Sequence, residues 1–187
     1  MSDKWNQRYT QFPNLPAVNH WLHAYRHLLP TKGHALDLAC GLGQNAFFLA
    51  KQGLIADAWD SSIVAIDALN DRANAQQLPV TGRCIDVKQQ WPEGDFDVIC
   101  VSAFLQRELC PHIVAHLKAG GILFYQTFNQ IPLPNKPSTT SFLLQEGELL
   151  SLFADLIPMV YIDEQERFSA DALPNMEGKA LLIARKK

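Results

Sequence analysis

Two closely spaced glycines, Gly41 and Gly43, are suited to hold a ligand against the main chain. They follow the short apolar segment Ala35–Ala39, which is typical of a buried strand. A helical pattern of apolar residues then runs from Asn45 to Gln52. At a turn from a strand into a helix, glycine permits tight backbone angles and close approach of a ligand. The first helical turn also leaves N–H groups without partners at the same place. The sequence therefore predicts a ligand site at this turn.

A carboxylate accompanies the turn. Asp60 ends a second predicted strand, Leu54–Trp59, which follows the helix. In parallel sheets of this kind, an acidic residue at the end of the second strand accepts hydrogen bonds from ribose hydroxyls. Together the glycine turn and Asp60 predict that the chain binds a cofactor containing adenosine.

The spacing of the turn is compatible with two cofactors. Gly41-x-Gly43-x-x-Ala46 satisfies the dinucleotide fingerprint, whose third position is glycine or alanine. Three features favour S-adenosylmethionine. Asp37 is placed to face an ammonium group, directly or through water, and would repel a pyrophosphate. Asp86 ends a predicted third strand, where it could accept a hydrogen bond from the adenine amine. The C-terminal third ends in two strands rather than in a second substrate domain.

These residues resemble the motifs of class I S-adenosylmethionine-dependent methyltransferases. The segment Asp37–Gly43 is similar to their first motif, with Ala39 where many members carry glycine. Asp60 resembles their ribose-binding acid, Asp86–Val87 their adenine-contacting pair, and Phe96–Ile99 their fourth strand. The similarity covers most of the chain, and the small side chain of Ala39 is a departure that the fold should tolerate.

The resemblance implies that the cofactor is S-adenosylmethionine, bound by the strand ends and by one aromatic residue of the N-terminal segment. The residues that it implies for this site are Tyr9, Asp37, Ala39, Cys40, Gly41, Gly43, Asn45, Asp60, Ser61, Asp86, Val87, Val101 and Phe104.

Within the class, the chain is most similar to small-molecule methyltransferases of the tellurite-resistance and thiopurine type. The segments Gln126–Asn129 and Phe142–Leu149 carry the likeness to the tellurite-resistance group, and they serve either to position the fold or to read the substrate. The N-terminal Trp5-x-x-Arg-Tyr9 resembles a segment that folds over the cofactor mouth in both types. Residues 1–30 are therefore expected to form a helical cap over that mouth, or else a packing arm that covers the edge of the sheet.

Strands alternate with helices along the chain, which predicts a parallel, doubly wound sheet with helices on both faces. The expected fold is a three-layer α/β, Rossmann-like sheet of seven mostly parallel strands, with an antiparallel C-terminal strand as the resemblance implies. The length of 187 residues fits a single methyltransferase domain over residues 1–187. The further predicted helices are Ala17–Leu29, Ile63–Ala75, Pro111–Lys118 (closed by Ala119–Gly121) and Phe142–Phe153. The further predicted strands are Leu78–Ile85, Asp97–Val101, Ile122–Thr127, Leu156–Glu164 and Lys179–Arg185. Residues 131–141 are expected to form a wall or lid.

Composition excludes several other functions. The net charge of −3 argues against general binding to nucleic acid. No apolar run is long enough to span a bilayer, and the polar N-terminus lacks a signal core, so a cytoplasmic protein is expected. No metal is expected, because the four cysteines have no metal-ligand spacing and the pair His23 and His27 lacks a third ligand. Cys84 and Cys100 are predicted to be buried, and Cys110 to be the exposed thiol.

The chemistry that these residues favour is in-line transfer of a methyl group from a sulfonium to an electron-rich small molecule. A sulfonium is already a strong methyl donor, so a general base is needed only for an acceptor that arrives protonated. Arg107, Gln126 and Asn129 are the candidates to orient the acceptor, and Arg107 would suit an anion. The alternatives are an NAD-linked oxidoreductase, an aminopropyl transferase and a non-catalytic cofactor-binding module.

Overall fold

Seven strands form one mixed sheet in the computed structural model, which describes residues 2–91, 93–131, 139–163 and 176–187. The strand order is β3-β2-β1-β4-β5-β7-β6, and only β7 runs antiparallel to its neighbours. This arrangement confirms the predicted fold class. The strands are β1 (His34–Leu38), β2 (Ile55–Asp60), β3 (Val80–Cys84), β4 (Phe96–Ser102), β5 (Leu117–Phe128), β6 (Leu156–Asp163) and β7 (Lys179–Lys186).

Helices connect these strands and also precede them. They are α1 (Ser2–Gln11), α2 (His20–Ala24), α3 (Gln44–Lys51), α4 (Ile63–Gln76), α5 (Cys110–Ala115) and α6 (Glu148–Leu152), with 3-10 turns at Arg26–Leu28, Arg107–Leu109 and Thr140–Phe142. Ser62 caps α4, as its position before the helix indicates, because its hydroxyl accepts from the Ala65 N–H at 3.3 Å. Within the described ranges, no helix is long and apolar enough to cross a membrane.

Three predicted helices are shorter than their apolar patterns indicate. The helix expected over Ala17–Leu29 is α2 alone, followed by a 3-10 turn. The helix expected from Phe142 begins only at Glu148, because Gly147 takes a left-handed conformation with φ 70° that interrupts it.

The third helix, expected over Pro111–Lys118, ends at Ala115, and the closing segment Ala119–Gly121 lies inside β5. The reason is tertiary: Phe96 pairs with Leu117 and draws this part of the chain into the sheet.

Alternating side chains of the central strands cover the two faces of the sheet. On β5, Leu123 and Tyr125 pack into one core cluster, while Phe124 packs into the other and stacks on Trp21 with ring centroids 6.3 Å apart. Burial on both faces is what a parallel sheet between two helical layers requires. Strand order reverses between β1 and β4, so their carboxyl ends leave a crevice where such folds bind ligands.

The predicted sixth strand is observed as β6 over Leu156–Asp163, and its last predicted residue, Glu164, lies outside the described residues. The expected wall or lid over residues 131–141 also falls largely outside them, at 132–138.

Candidate active site

A crevice with a volume of about 670 Å³ opens at the carboxyl ends of the strands. Its size is within the range of small-molecule and cofactor pockets. Among the residues that line it are most of those expected to hold the cofactor, namely Tyr9, Ala39, Cys40, Gly41, Asp60, Ser61, Asp86, Val87 and Phe104. The other expected residues, Asp37, Gly43, Asn45 and Val101, do not line the crevice. Val101, for example, is a fully buried part of the core.

The two glycines of the turn serve different purposes. Gly41 has φ 55°, and a Cβ atom there would lie 2.6 Å from Oη of Tyr9, which closes over the turn from α1. Gly43 has φ 84° and precedes α3, and a Cβ atom there would lie 2.4 Å from Cδ1 of Leu69 on α4. Gly41 therefore lets the Tyr9 ring close over the turn, and Gly43 lets α3 pack against α4.

Asp60 binds the turn through its own carboxylate. Its Oδ2 accepts a hydrogen bond from the Gly41 N–H at 2.9 Å, and its Oδ1 accepts one from the Ser62 N–H at 2.9 Å. Burial raises the pKa of this carboxyl, while the backbone bonds act in the opposite direction. An ionised carboxylate has about four lone-pair sites, so these bonds leave capacity for a ligand in the crevice.

Asp37 lies beneath the crevice floor with one oxygen satisfied. Its side chain is 1% exposed, and Oδ2 accepts from the Ala46 N–H at 3.0 Å. None of the described residues donates a hydrogen bond to the buried Oδ1. Burial, together with the charge of the neighbouring Asp60, raises the pKa of Asp37 to about 7. A buried acid with an unpartnered oxygen fits the ammonium group that the sequence predicts at this position, directly or through water.

A polar network that the sequence did not reveal joins the floor to the neighbouring strands. Nδ2 of Asn19 donates to Oδ1 of Asn45 at 3.0 Å and to the Ser102 hydroxyl at 3.1 Å. With its oxygen engaged in this way, Asn45 lies close enough to lower the pKa of Asp37, although its amide makes no hydrogen bond to Oδ1 of that acid. Asn19 immediately precedes α2, where an asparagine is ordinarily interpreted as a helix cap, yet its side chain makes no capping bond.

Two alanines with left-handed backbone conformations line the crevice. Ala39 has φ 56° at the end of β1, and Ala103 has φ 54° just after β4. Residues other than glycine seldom adopt this conformation, and such strain concentrates at functional sites. The geometry explains why methyltransferases commonly carry glycine at the position of Ala39. Nothing in the sequence around Ala103 signals its conformation.

Asp86 lies in an exposed turn at the crevice rim. Its Oδ1 accepts from the Lys88 N–H at 3.1 Å, and its Oδ2 accepts from Nε2 of Gln89 at 3.2 Å. The turn thus presents Asp86 and Val87 at the crevice on the side of β3.

The three residues expected to orient an acceptor do not line the crevice. Arg107 is bound by Glu148 at 2.5 Å and by the carbonyl oxygens of Ser141 and Leu143. Gln126 is 1% exposed, and its amide donates to Sδ of Met176 at 3.6 Å. The structure thus contradicts the expectation for these two residues, because their polar groups bond within the fold.

Asn129 does not line the crevice either. It is fully buried and donates to Oδ1 of Asp163 at 3.2 Å, while its own Oδ1 accepts from the Ile131 N–H. Its amide joins β5 to β6 and does not face a ligand.

The cysteines differ from two expectations. Cys84 is exposed at the end of β3, where it was expected to be buried. Cys110 is buried at the start of α5, and burial raises the pKa of its thiol to about 12. Across the described part of the chain, no three His, Cys, Asp or Glu side chains are grouped so that they could hold a metal.

The strand order and the crevice define a Rossmann-like fold of the methyltransferase type. The family model of the tellurite resistance protein TehB matches residues 3–172, and the chain belongs to this family. The predicted resemblance to class I methyltransferases of the tellurite-resistance type is thereby confirmed.

Curated relatives match over part of their length. A probable S-adenosyl-L-methionine-dependent methyltransferase TehB of Haemophilus influenzae is 28% identical over 130 residues, which are 64% of this chain and 44% of that protein. Hemagglutinin 1 of Eikenella corrodens is 34% identical over 129 residues, covering 64% of this chain and 42% of that protein. The matches thus span less than half the length of these relatives.

Solved structures share the fold at low sequence identity. TehB from Haemophilus influenzae superposes with a TM-score of 0.77 at 21% identity, covering 98% of this chain and 67% of that one. A TehB-like SAM-dependent methyltransferase from Corynebacterium glutamicum superposes with a TM-score of 0.69 at 18% identity, covering 100% of this chain and 98% of that one.

The raised pKa of Asp37 predicts a dependence of stability on pH. Between its ordinary value of 3.8 and about 7, the folded protein holds a proton that the unfolded chain releases. The contribution of Asp37 to the free energy of unfolding should therefore fall as pH rises through this window. In Asp37→Asn that component should vanish, as measured by urea unfolding at intervals between pH 4.5 and 7.5. Asp67→Asn, exposed on α4, should keep the wild-type slope. An unchanged slope in Asp37→Asn would contradict the assignment.

The strain at Ala39 predicts a stabilising substitution. A left-handed residue with a Cβ atom costs about 1–2 kcal/mol, and glycine loses about 0.5–1 kcal/mol through its unfolded-state entropy. Ala39→Gly should therefore raise the free energy of unfolding by about 0.5–1 kcal/mol, the net of the two terms. Ala65→Gly, inside α4, should lower it by about 1 kcal/mol. Equal losses in the two variants would show that Ala39 is not strained.

The contacts of Arg107 predict a loss of stability when its forked guanidinium is replaced. Arg107→Lys removes a paired hydrogen bond to Glu148 and two bonds to carbonyl oxygens. The free energy of unfolding should fall by about 1–2 kcal/mol. Arg83→Lys, whose side chain is 51% exposed beside Asp57, should cost less than about 0.5 kcal/mol. Thermal unfolding of the two variants measures the difference. Equal losses of stability would show that the hydrogen bonds of the Arg107 guanidinium do not stabilise the fold.

Proposed function

We propose that the chain is an S-adenosylmethionine-dependent methyltransferase that acts on a small molecule. The observation that carries this proposal is the unpartnered oxygen of Asp37 below the glycine turn. The crevice has an acidic floor, since burial and the charge of the neighbouring Asp60 both raise the pKa of Asp37. A cation at this place would supply the missing partner. When bound, the cofactor supplies an electrophilic methyl group on a positively charged sulfur.

The residues around the floor have distinct binding roles in this proposal. Asp60 accepts from the ribose hydroxyls, and the main chain of Gly41 approaches the ligand directly. Asp86 and Val87 contact the adenine from the rim. Phe104 packs against the cofactor after β4, where its carbonyl oxygen is held by the Tyr125 hydroxyl at 3.0 Å.

The described lining residues favour catalysis by positioning. Burial raises the pKa values of Tyr9 and Cys40, so both stay protonated near neutral pH and are poor bases. Holding the acceptor, the methyl carbon and the sulfur in line can by itself contribute roughly 7–11 kcal/mol to lowering the barrier. The chain's task is then to orient the acceptor and exclude water.

The helix α1 acts as a cap in this proposal. Tyr9 lies over Gly41, and Asn6 accepts from the Ser62 hydroxyl at 2.7 Å. No residue of α1 is buried, although Trp5 and Tyr9 line the crevice and stack with centroids 6.1 Å apart. A helix held by so few buried contacts can open for the cofactor and close over it. Residues 1–30 thus belong to the same methyltransferase domain.

The rival functions explain the crevice less well. An NAD-linked oxidoreductase would place a pyrophosphate near Asp37 and Asp60, where charge repulsion opposes it. An aminopropyl transferase needs carboxylates after the fourth strand, and residues 102–106 carry none. A non-catalytic module would bind the cofactor without transferring its methyl group. The net charge of −3 supports a small-molecule partner over nucleic acid.

Asp60→Ala should weaken S-adenosylmethionine binding about tenfold to a hundredfold, because hydrogen bonds to a charged group are worth about 1.5–3 kcal/mol. Calorimetric titration measures the effect, and Asp71→Ala, exposed on α4, serves as the matched control. Unchanged affinity in a folded Asp60→Ala variant would remove Asp60 from the site.

Two measurements on the wild-type chain test the function as a whole. Titration with S-adenosylmethionine and with NADH separates the two cofactor classes, and only the former should bind. Incubation of a metabolite extract with methyl-labelled cofactor should then yield a labelled small molecule. Binding without label transfer to any fraction would favour the non-catalytic module.

A further inference from the structure

Among the described residues that line the crevice, two have a buried polar atom without a hydrogen-bond partner, Nε1 of Trp59 and the hydroxyl of Thr127. Thr127 stands near the end of β5, is 1% exposed, and its hydroxyl makes no hydrogen bond. Leaving a buried hydroxyl unpaired destabilises a fold. A fold can tolerate that loss where a ligand completes the bond, as in a binding site.

The position of Thr127 is fixed by its neighbours on β5. The Ala103 N–H donates to the carbonyl oxygen of Gln126 at 2.9 Å, and the Tyr125 hydroxyl donates to the carbonyl oxygen of Phe104. The end of β5 is thus tied to the loop that follows β4. Thr127 lies at the junction of these two elements, away from Asp60 and the glycine turn.

This end of the crevice is aromatic and uncharged. Its described lining comprises residues 102–106, Thr127, Phe128 and Phe142, and none of these carries a charge. Arg107, the next residue along the chain, is occupied by Glu148. Lys179 lies with its ammonium 5.7 Å from the Phe128 ring centroid but does not line the crevice. The charged lining residues come instead from α1 and from the ends of β2 and β3.

We propose that the Thr127 hydroxyl binds the methyl acceptor, and that this acceptor is a flat, uncharged molecule with one hydrogen-bonding group. The inference rests on the proposed methyltransferase function and deepens it. Phenylalanine rings favour flat apolar ligands. An oxyanion here would lose hydration, and none of the described residues that line this end is a cation that could replace it.

The transfer step balances for a neutral heteroaromatic acceptor. The Thr127 oxygen accepts from the ring N–H, which leaves the lone pair of the other ring nitrogen for the methyl carbon. That lone pair forms the new N–C bond, the electrons of the C–S bond stay on sulfur, and the ring N–H proton leaves to solvent.

Benzimidazole is a suitable probe, since it is flat and uncharged and has one N–H and one free ring nitrogen. Selenite represents the oxyanions. Methyl transfer from labelled cofactor to each probe should be measured for wild type, Thr127→Val and Thr127→Ser. Wild type should methylate benzimidazole with a higher kcat/KM than selenite. Thr127→Val should lower kcat/KM for benzimidazole about tenfold or more, and Thr127→Ser should retain most of it.

Two further readouts distinguish a ligand-binding role from a structural one. Thr127→Val should melt at the same or a higher temperature than wild type, because it removes a hydroxyl that the fold leaves unpaired. Its Kd for S-adenosylmethionine should stay within about twofold of wild type. Thr81→Val, on the exposed part of β3, should change neither activity nor cofactor affinity.

Three outcomes would overturn the inference. Unchanged kcat/KM in Thr127→Val would exclude the hydroxyl from acceptor binding, and a lower melting temperature would assign it to the fold. Transfer to selenite alone, or to neither probe while the cofactor binds, would refute the acceptor class. If the wild type does not bind the cofactor at all, the proposed function itself fails, and calorimetry makes that case distinguishable.

Discussion

Two buried carboxyls, which no cation among the described residues pairs with, set the character of this crevice. Burial raises the pKa of both carboxyls, and the charge of Asp60 makes Asp37 still harder to ionise. Natural folds rarely bury acids unless something pairs with them. Asp60 has main-chain N–H groups as partners, whereas Asp37 has only one of its oxygens satisfied by the main chain. A cationic ligand resolves this imbalance, and the sulfonium cofactor of the resembled enzymes is such a ligand.

The same region stores backbone strain. Ala39 and Ala103 take left-handed conformations at the ends of β1 and β4, the two strands between which the sheet order reverses. Each left-handed residue bends the chain at a strand end, and both residues line the crevice. The bonds from Gly41 to Asp60 and from Ala103 to Gln126 hold these bends in place. Stability lost to strain is thus localised where the geometry of the ligand site requires it.

The sequence was most informative where the signal is local. The glycine turn, Asp60 and the strand–helix alternation are short-range patterns, and the fold predicted from them is confirmed. The helix lengths were wrong where tertiary pairing decided, as when Phe96 draws Leu117 into β5. Arg107 was misinterpreted because its partner Glu148 stands 41 residues away, and no spacing rule relates the two. Long-range hydrogen bonding of this kind is visible only in the folded chain.

Neighbouring polar residues on β5 show that the sequence alone did not reveal which of them reaches the crevice. Side chains of a strand alternate between its faces, so Thr127 shares the face of Tyr125, whereas Gln126 shares that of Phe124. Gln126 is the more polar residue, yet its face leads to Met176 inside the fold.

The segment Phe142–Leu149, which carries the likeness to the tellurite-resistance group, also has a role that only the structure shows. Its Glu148 binds Arg107 and keeps that cation from the crevice, while Phe142 forms part of the crevice wall. The segment therefore positions the fold and also holds the Arg107 cation through Glu148.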